Sequence, residues 1–133
     1  MMPETETFGV HLMIDGYGCD RHLIGNRDML LALLDRLPVE LGMHPIAEPM
    51  VVEVGAKNKK DPGGLSGFVM VAESHLSFHT FPARRFITLD IYTCCPDLDI
   101  EGVSQRMKER FGIDVMDCFV QKRGLRYPVR DIA

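Results

Sequence analysis

Ser74-His75-Leu76-Ser77-Phe78-His79 holds two histidines and two serines within six residues. Serine supplies a nucleophilic hydroxyl, and histidine a general acid or base near neutral pH. The stretch follows an apolar run, Phe68-Val69-Met70-Val71-Ala72, bounded upstream by Gly63-Gly64, the pattern of a short buried strand. Past it, Leu76 and Phe78 alternate with His75, Ser77 and His79, as on a strand with one apolar and one polar face. A half-exposed strand needs no chemistry to look this way. Ser74 and His79, however, are an odd number of residues apart. An unbroken strand points them to opposite faces and holds them about 17 Å apart at ~3.3 Å per residue. For the two to work together, the chain must turn sharply near Ser74, or the second residue must come from a neighbouring subunit.

Three nucleophile chemistries are open to these side chains. A Ser-His hydrolase wants a glycine-flanked serine elbow, and Glu73-Ser74-His75 lacks the glycines. A thiol enzyme would pair Cys94 with His79, on two residue types that occur widely without that role. The third is self-cleavage. A serine hydroxyl at a strained turn can attack its own preceding carbonyl to give an ester. Elimination across that ester breaks the chain and leaves a ketone, a pyruvoyl group, where Ser74 stood. A ketone condenses with an amine to a Schiff base and draws electrons, which implies decarboxylation of an amino acid. Cys94 or a histidine could then protonate the carbon left behind.

The elements that must position these groups follow from hydrophobic periodicity. Phe8, Val10, Leu12 and Ile14 alternate with His11, Met13 and Asp15, predicting a half-buried strand ended by Gly16 and Gly18. Asn26 can cap a helix with the stripe Leu30, Leu31, Leu33, Leu34 and Leu37, which Pro38 should end or kink. Residues 46–54 read as a strand weakened by Pro49, and 55–64 as a polar connection carrying Lys57, Lys59 and Lys60. Residues 86–95 alternate again. Asp97 or Asp99 can cap a second helix bearing Ile100, Val103, Met107 and Phe111, and 113–121 give a last strand.

Two amphipathic helices and a mainly antiparallel sheet make an α+β two-layer sandwich, one domain over residues 1–133. The helices can cover only one sheet face. The other exposes His11, Asp15, His75, His79, Asp90, Tyr92 and Cys94 together, so it is either solvated or buried against a second sheet. A homodimer packed sheet to sheet would turn it into a polar cleft.

Bulk properties narrow the partners. The net charge is −4 and the basic residues are scattered, apart from Lys57, Lys59 and Lys60, which argues against nucleic acid. No apolar stretch approaches the ~18 residues of a membrane span, and the first residues are acidic, so a cytoplasmic protein with no membrane partner is expected. The four cysteines include no CxxC pair, which argues against a zinc site. In a reducing compartment they are thiols.

Ala72-Glu73-Ser74-His75-Leu76-Ser77-Phe78-His79-Thr80-Phe81-Pro82, followed by Leu89-Asp90-Ile91-Tyr92-Thr93-Cys94, resembles the bacterial S-adenosylmethionine decarboxylase proenzyme family. Gly64-Leu65-Ser66-Gly67 matches the family's upstream segment, and Val10 to Cys19 resembles its first strand and turn. The similarity covers most of the chain. It implies cleavage between Glu73 and Ser74, with Ser74 becoming the covalent pyruvoyl cofactor. It implies that Ser66 and His79 assist self-processing, the serine at the ester and the histidine by taking the proton for elimination. It implies that Cys94 donates a proton in decarboxylation. The family fold is a two-layer α+β sandwich, dimeric, with active sites at or near the interface, and its activity belongs to polyamine synthesis.

Two departures fall where substrate is read. Phe81 keeps the family's aromatic after His-Thr, but Ala83 stands where a glutamate is expected. Six residues before Ser66, Lys60 stands in place of a phenylalanine associated with the adenine pocket. An ammonium offers no aromatic face and repels a sulfonium. With S-adenosylmethionine as the expected substrate, L-ornithine or L-arginine is the alternative on the same scaffold, and an unprocessed binding protein the alternative of another class.

Overall fold

Apolar side chains alternating along the strands give one sheet a single buried face. The structure, a computed structural model, describes residues 3–133. Its elements are β1 (Thr5–Glu6), β2 (Gly9–Tyr17), α1 (Arg21–Ile24), α2 (Arg27–Glu40), β3 (Met50–Val54), β4 (Gly64–Val71), β5 (Ser74–Phe81), β6 (Phe86–Thr93), α3 (Ile100–Arg110), β7 (Val115–Arg123) and β8 (Tyr127–Pro128). Six strands form an antiparallel sheet in the order β3-β4-β5-β6-β2-β7, and β1 pairs with β8 as a separate ribbon. The α+β two-layer sandwich expected from the sequence is the fold.

Val10, Leu12 and Ile14, Leu65, Val69 and Val71, Leu76 and Phe78, and Ile87, Leu89 and Ile91 form the buried face. Against them pack Leu30, Leu33, Leu34 and Leu37 of α2 and Val103 and Met107 of α3. Each such side chain contributes ~1.5–3 kcal/mol by leaving water. Phe78 meets Phe111 edge-on at 5.7 Å, which ties the middle of β5 to the end of α3. Thr80, buried, donates to the Ile24 carbonyl at 2.8 Å and accepts from the Leu65 N–H at 3.2 Å, fixing β5 against α1. Asn26 and Asp99 cap α2 and α3, their side chains accepting from Met29 N–H and Gly102 N–H.

Local differences from the sequence expectation have physical causes. Pro38 lies inside α2, which runs on to Glu40; proline there removes one donor in the last turn, where the helix is ending anyway. The short α1, capped by Asp20, is an additional helix before α2. β4 begins at Gly64, well before Phe68, because Gly67 leaves room for the Phe78 ring; a Cβ at 67 would lie 2.3 Å from it. β3 starts only after Pro49, preceded by a single bridge from Pro45 to Val71. The strand expected over 113–121 is β7, which starts later and continues to Arg123. No helix among the described residues is long and apolar enough to cross a membrane.

Candidate active site

The turn between β4 and β5 is only Ala72-Glu73. Two-residue hairpin loops favour primed turns with positive φ at the loop residues, supplied by glycine or asparagine. Neither Ala72 nor Glu73 has positive φ; the next residue does. Ser74 sits at φ 152°, one of two non-glycine residues with positive φ among those described. A residue with a Cβ is strained there. The sharp turn lies before Ser74 rather than between Ser74 and His79, and its strain falls at the Glu73–Ser74 peptide.

The carbonyl of that peptide is gripped from β6. Ser74 pairs with Thr93, and the Cys94 N–H donates to the Glu73 carbonyl at 2.8 Å. Thr93 Oγ1 accepts from the Cys95 N–H at 3.2 Å, so the backbone on both sides of Cys94 is fixed. Gly9 makes the approach possible: a Cβ there would lie 2.2 Å from the Thr93 carbonyl oxygen and 2.9 Å from Cys94 Cα. Burial raises the pKa of the half-buried Cys94 thiol, and the neighbouring Cys95 adds to the effect. The Glu73 carboxylate accepts from the ring and backbone N–H of His44, which hold its pKa below the ordinary range.

A second pair forms farther along β5. Ser66 and His79 are register partners, and Ser66 Oγ lies 2.8 Å from His79 Nδ1. With the ring proton on Nε2, the hydroxyl donates to Nδ1. A hollow of about 320 Å³ beside them is walled by Met50, Val52, Phe68 and Ser77.

The structure thus brings Ser74, Glu73 and Cys94 together and Ser66 and His79 together, but keeps the two groups apart within one chain. β5 runs unbroken from Ser74 to Phe81, so Ser74 and His79 remain about 17 Å apart at ~3.3 Å per residue. Phe81 and Lys60 share a cavity of about 630 Å³ at the His79 end, with Tyr17, Phe86 and Arg84. Its aromatic walls are coupled: Phe81 stacks on Phe86 at 5.7 Å and Tyr17 lies 5.3 Å from Phe86. At the opposite end a groove of about 810 Å³ is lined by Phe8, Tyr92, Arg123 and Tyr127, with the Arg123 guanidinium 5.0 Å above the Tyr92 ring.

Between the two ends, His11 Nε2 meets Asp90 Oδ1 at 2.8 Å. His75 lies between Phe68 and Tyr92, and burial lowers its pKa, with the nearby His11 pushing the same way. All of these lie on the sheet face without helices, as the parity of the sequence placed them. His44 and Arg123 carried no signal in the sequence, and Phe8, expected on the apolar face with Val10, lies before β2 and packs against Tyr92 and Tyr127 instead.

A sequence model described as S-adenosylmethionine decarboxylase matches residues 10–124. The S-adenosylmethionine decarboxylase proenzyme of Thermococcus gammatolerans is 33% identical over 124 residues, 93% of this chain and 82% of the relative. That of Acetivibrio thermocellus is 34% identical over 117 residues, 88% of this chain and 89% of the relative. The crystal structure of the adenosylmethionine decarboxylase from Aquifex aeolicus superposes with a TM-score of 0.77 at 24% identity, over 96% of this chain and 99% of that one, and shares the fold. With a strained serine after a two-residue turn, the Cys94 N–H on the Glu73 carbonyl, and the family model and relatives matched over most of the chain, the chain belongs to the S-adenosylmethionine decarboxylase family.

Proposed function

We propose that this chain cleaves itself between Glu73 and Ser74, turns Ser74 into a pyruvoyl group, and decarboxylates S-adenosylmethionine for polyamine synthesis. The observation that carries this reading is the positive φ of Ser74 beside a carbonyl already held by the Cys94 N–H. Attack of Ser74 Oγ on the Glu73 carbonyl carbon forms an ester and frees the Ser74 nitrogen, relieving the strained peptide. Charge grows on the carbonyl oxygen in that attack, where the Cys94 N–H donates as an oxyanion donor does. Loss of the Ser74 Cα proton then expels the Glu73 carboxylate. The enamine left behind passes to its imine, and water converts this to the ketone with release of ammonia. His79 takes the Cα proton, its Nδ1 partnered by Ser66.

The residues fit the group that this chemistry makes. A pyruvoyl group supplies an electrophilic ketone, an electron sink for loss of CO2 from an amino acid. Cys94 is placed at the same peptide with its thiol proton retained, so it can deliver a proton to the substrate carbon. Phe81, Phe86 and Tyr17 offer aromatic faces to an adenine ring, and Lys60 stands at the rim of their cavity. The names of the relatives favour S-adenosylmethionine over L-ornithine or L-arginine.

The partner that completes the site is a second copy of the chain. His79 of one protomer would act on Ser74 of the other in a homodimer packed face to face. A two-fold axis brings the Ser74 end of each sheet to the His79 end of its partner, twice over. Met50, Val52, Phe68, Met70 and Phe119, exposed on the helix-free face, would then be covered.

Intact mass under denaturing conditions tests self-processing. Two chains are expected, one ending at Glu73 and one beginning with a pyruvoyl group, with CO2 released from S-adenosylmethionine. A single uncleaved mass overturns self-processing, and CO2 released only from ornithine or arginine overturns the substrate. Co-expression of H79A with S74A tests the shared site. Cleavage of the H79A chain is expected, since its partner supplies His79; two intact chains would refute the arrangement.

A further inference from the structure

His44 belongs to no strand or helix, yet it holds the scissile turn at three points. Its backbone N–H donates to Glu73 Oε1 at 2.9 Å, and its ring Nδ1 lies 2.7 Å from Glu73 Oε2. Its carbonyl accepts from the Ala72 N–H at 2.8 Å. The neighbouring chain is anchored to β4 by the bridge from Pro45 to Val71 and by the Ile46 N–H donating to the Met70 carbonyl at 3.1 Å. Both residues of the two-residue turn are therefore fixed from outside the hairpin.

We infer that His44 is a positioning residue for self-cleavage, holding Glu73 so that its carbonyl stays in the orientation Ser74 must attack. The inference rests on the self-cleavage reading. A two-residue loop with a strained following residue can relieve its strain by rotating the Glu73–Ser74 peptide, which would carry the carbonyl off the Cys94 N–H. With the Ala72 N–H and the Glu73 carboxylate tied to His44, Glu73 cannot shift away from β6 to make room for that rotation without breaking bonds on both sides of the turn. Keeping a reactive pair in its attack geometry is worth rate in itself. The grip is not part of the core. The His44 side chain is 77% exposed, whereas that of Glu73 is 16% exposed, so the ring caps a covered carboxylate from the solvent side. β4 and β5 are already joined by their own ladder from Leu65–Thr80 to Val71–Ser74.

The test follows cleavage of freshly translated full-length chain by intact mass, comparing wild type with H44A and H44N. Alanine keeps the backbone N–H and loses the ring donor; asparagine restores an N–H near the position of Nδ1. H44A should cleave about fivefold more slowly, the effect of one charge-assisted but solvent-facing hydrogen bond, and H44N should recover most of the rate. Turnover per cleaved chain should fall by less than the cleavage rate does. In the uncleavable S74A background, H44A should leave the melting temperature within about 2 °C, which separates positioning from folding. Equal rates for wild type and H44A, or H44N as slow as H44A, would overturn the inference. A wild-type chain that stays whole overturns the self-cleavage reading itself, and this inference with it.

Discussion

At an ordinary strand position alanine is more stable than glycine by about 0.5–1 kcal/mol, because glycine loses more backbone freedom on folding. Ser74 should reverse that order. At φ 152° any residue with a Cβ is strained, at a cost of order 1–3 kcal/mol, which glycine escapes. Taking ~2 kcal/mol for the strain and subtracting ~0.75 kcal/mol for glycine's entropy leaves S74G more stable than S74A by about 1 kcal/mol. Neither variant has the hydroxyl, so neither can cleave, and both stay one chain with the same contacts beyond the Cβ. Urea denaturation at matched protein concentration reads the difference as a shift in midpoint at constant slope. Thermal melts should place S74G about 3–5 °C higher, for a chain of this size. If alanine proved equal to glycine or better, the Ser74 backbone would be relaxed, and strain could no longer be a source of the self-cleavage rate.

Cys94→Ala should still cleave, since the N–H on the Glu73 carbonyl is backbone and survives, while decarboxylation falls by about 10²–10⁴-fold for want of the proton donor; equal loss of both, by intact mass and CO2 release, would remove that role. Lys60→Phe should lower KM for S-adenosylmethionine by replacing a cation at the cavity rim with a stacking face, and steady-state kinetics giving an unchanged KM would mean that Lys60 does not face the substrate. Burial raises the Cys19 thiol from 9.0 to about 11, so above pH 9 the unfolded chain loses its proton while the folded one keeps it. Stability should therefore fall between pH 9 and 11, by about 2–3 kcal/mol at most, and Cys19→Ala should flatten that part of a pH series of urea melts.

Alternation along 9–17, 74–81 and 86–93 placed the right side chains on the right faces, because a strand's period is a property of the backbone alone. The capping residue Asn26, and Asp99 as one of two candidates with Asp97, were legible because a cap satisfies donors only a few residues away. For Ser74 and His79 to work together their spacing required either a sharp turn or a second subunit, and the turn in the structure falls before Ser74, leaving the two residues a strand apart. What sequence could not give was register. Ser66 meets His79, and Cys94 meets the Glu73 carbonyl, only once neighbouring strands are aligned. The apolar run reads as starting at Phe68, whereas the strand starts at Gly64, and the bulk of Phe78 across the ladder makes Gly67 a necessity within it. His44 stayed hidden, since it grips Glu73 from a loop whose composition carries no pattern.

The order of strands across the sheet has a consequence for a protein cut after Glu73. The first piece would carry β2, β3 and β4, and the second β5, β6 and β7. In the sheet β4 lies against β5, while β2 is wedged between β6 and β7. The β1–β8 ribbon also joins the two pieces, so they are interleaved, parting them means opening four ladders at once, and the nick leaves the fold in place. Melting such a protein is also a dissociation, and its midpoint should rise with protein concentration as that of the intact chain need not. Refolding becomes a search between two molecules, neither of which holds a complete sheet. The mature protein would inherit an architecture that only the uncut chain can assemble in a single step.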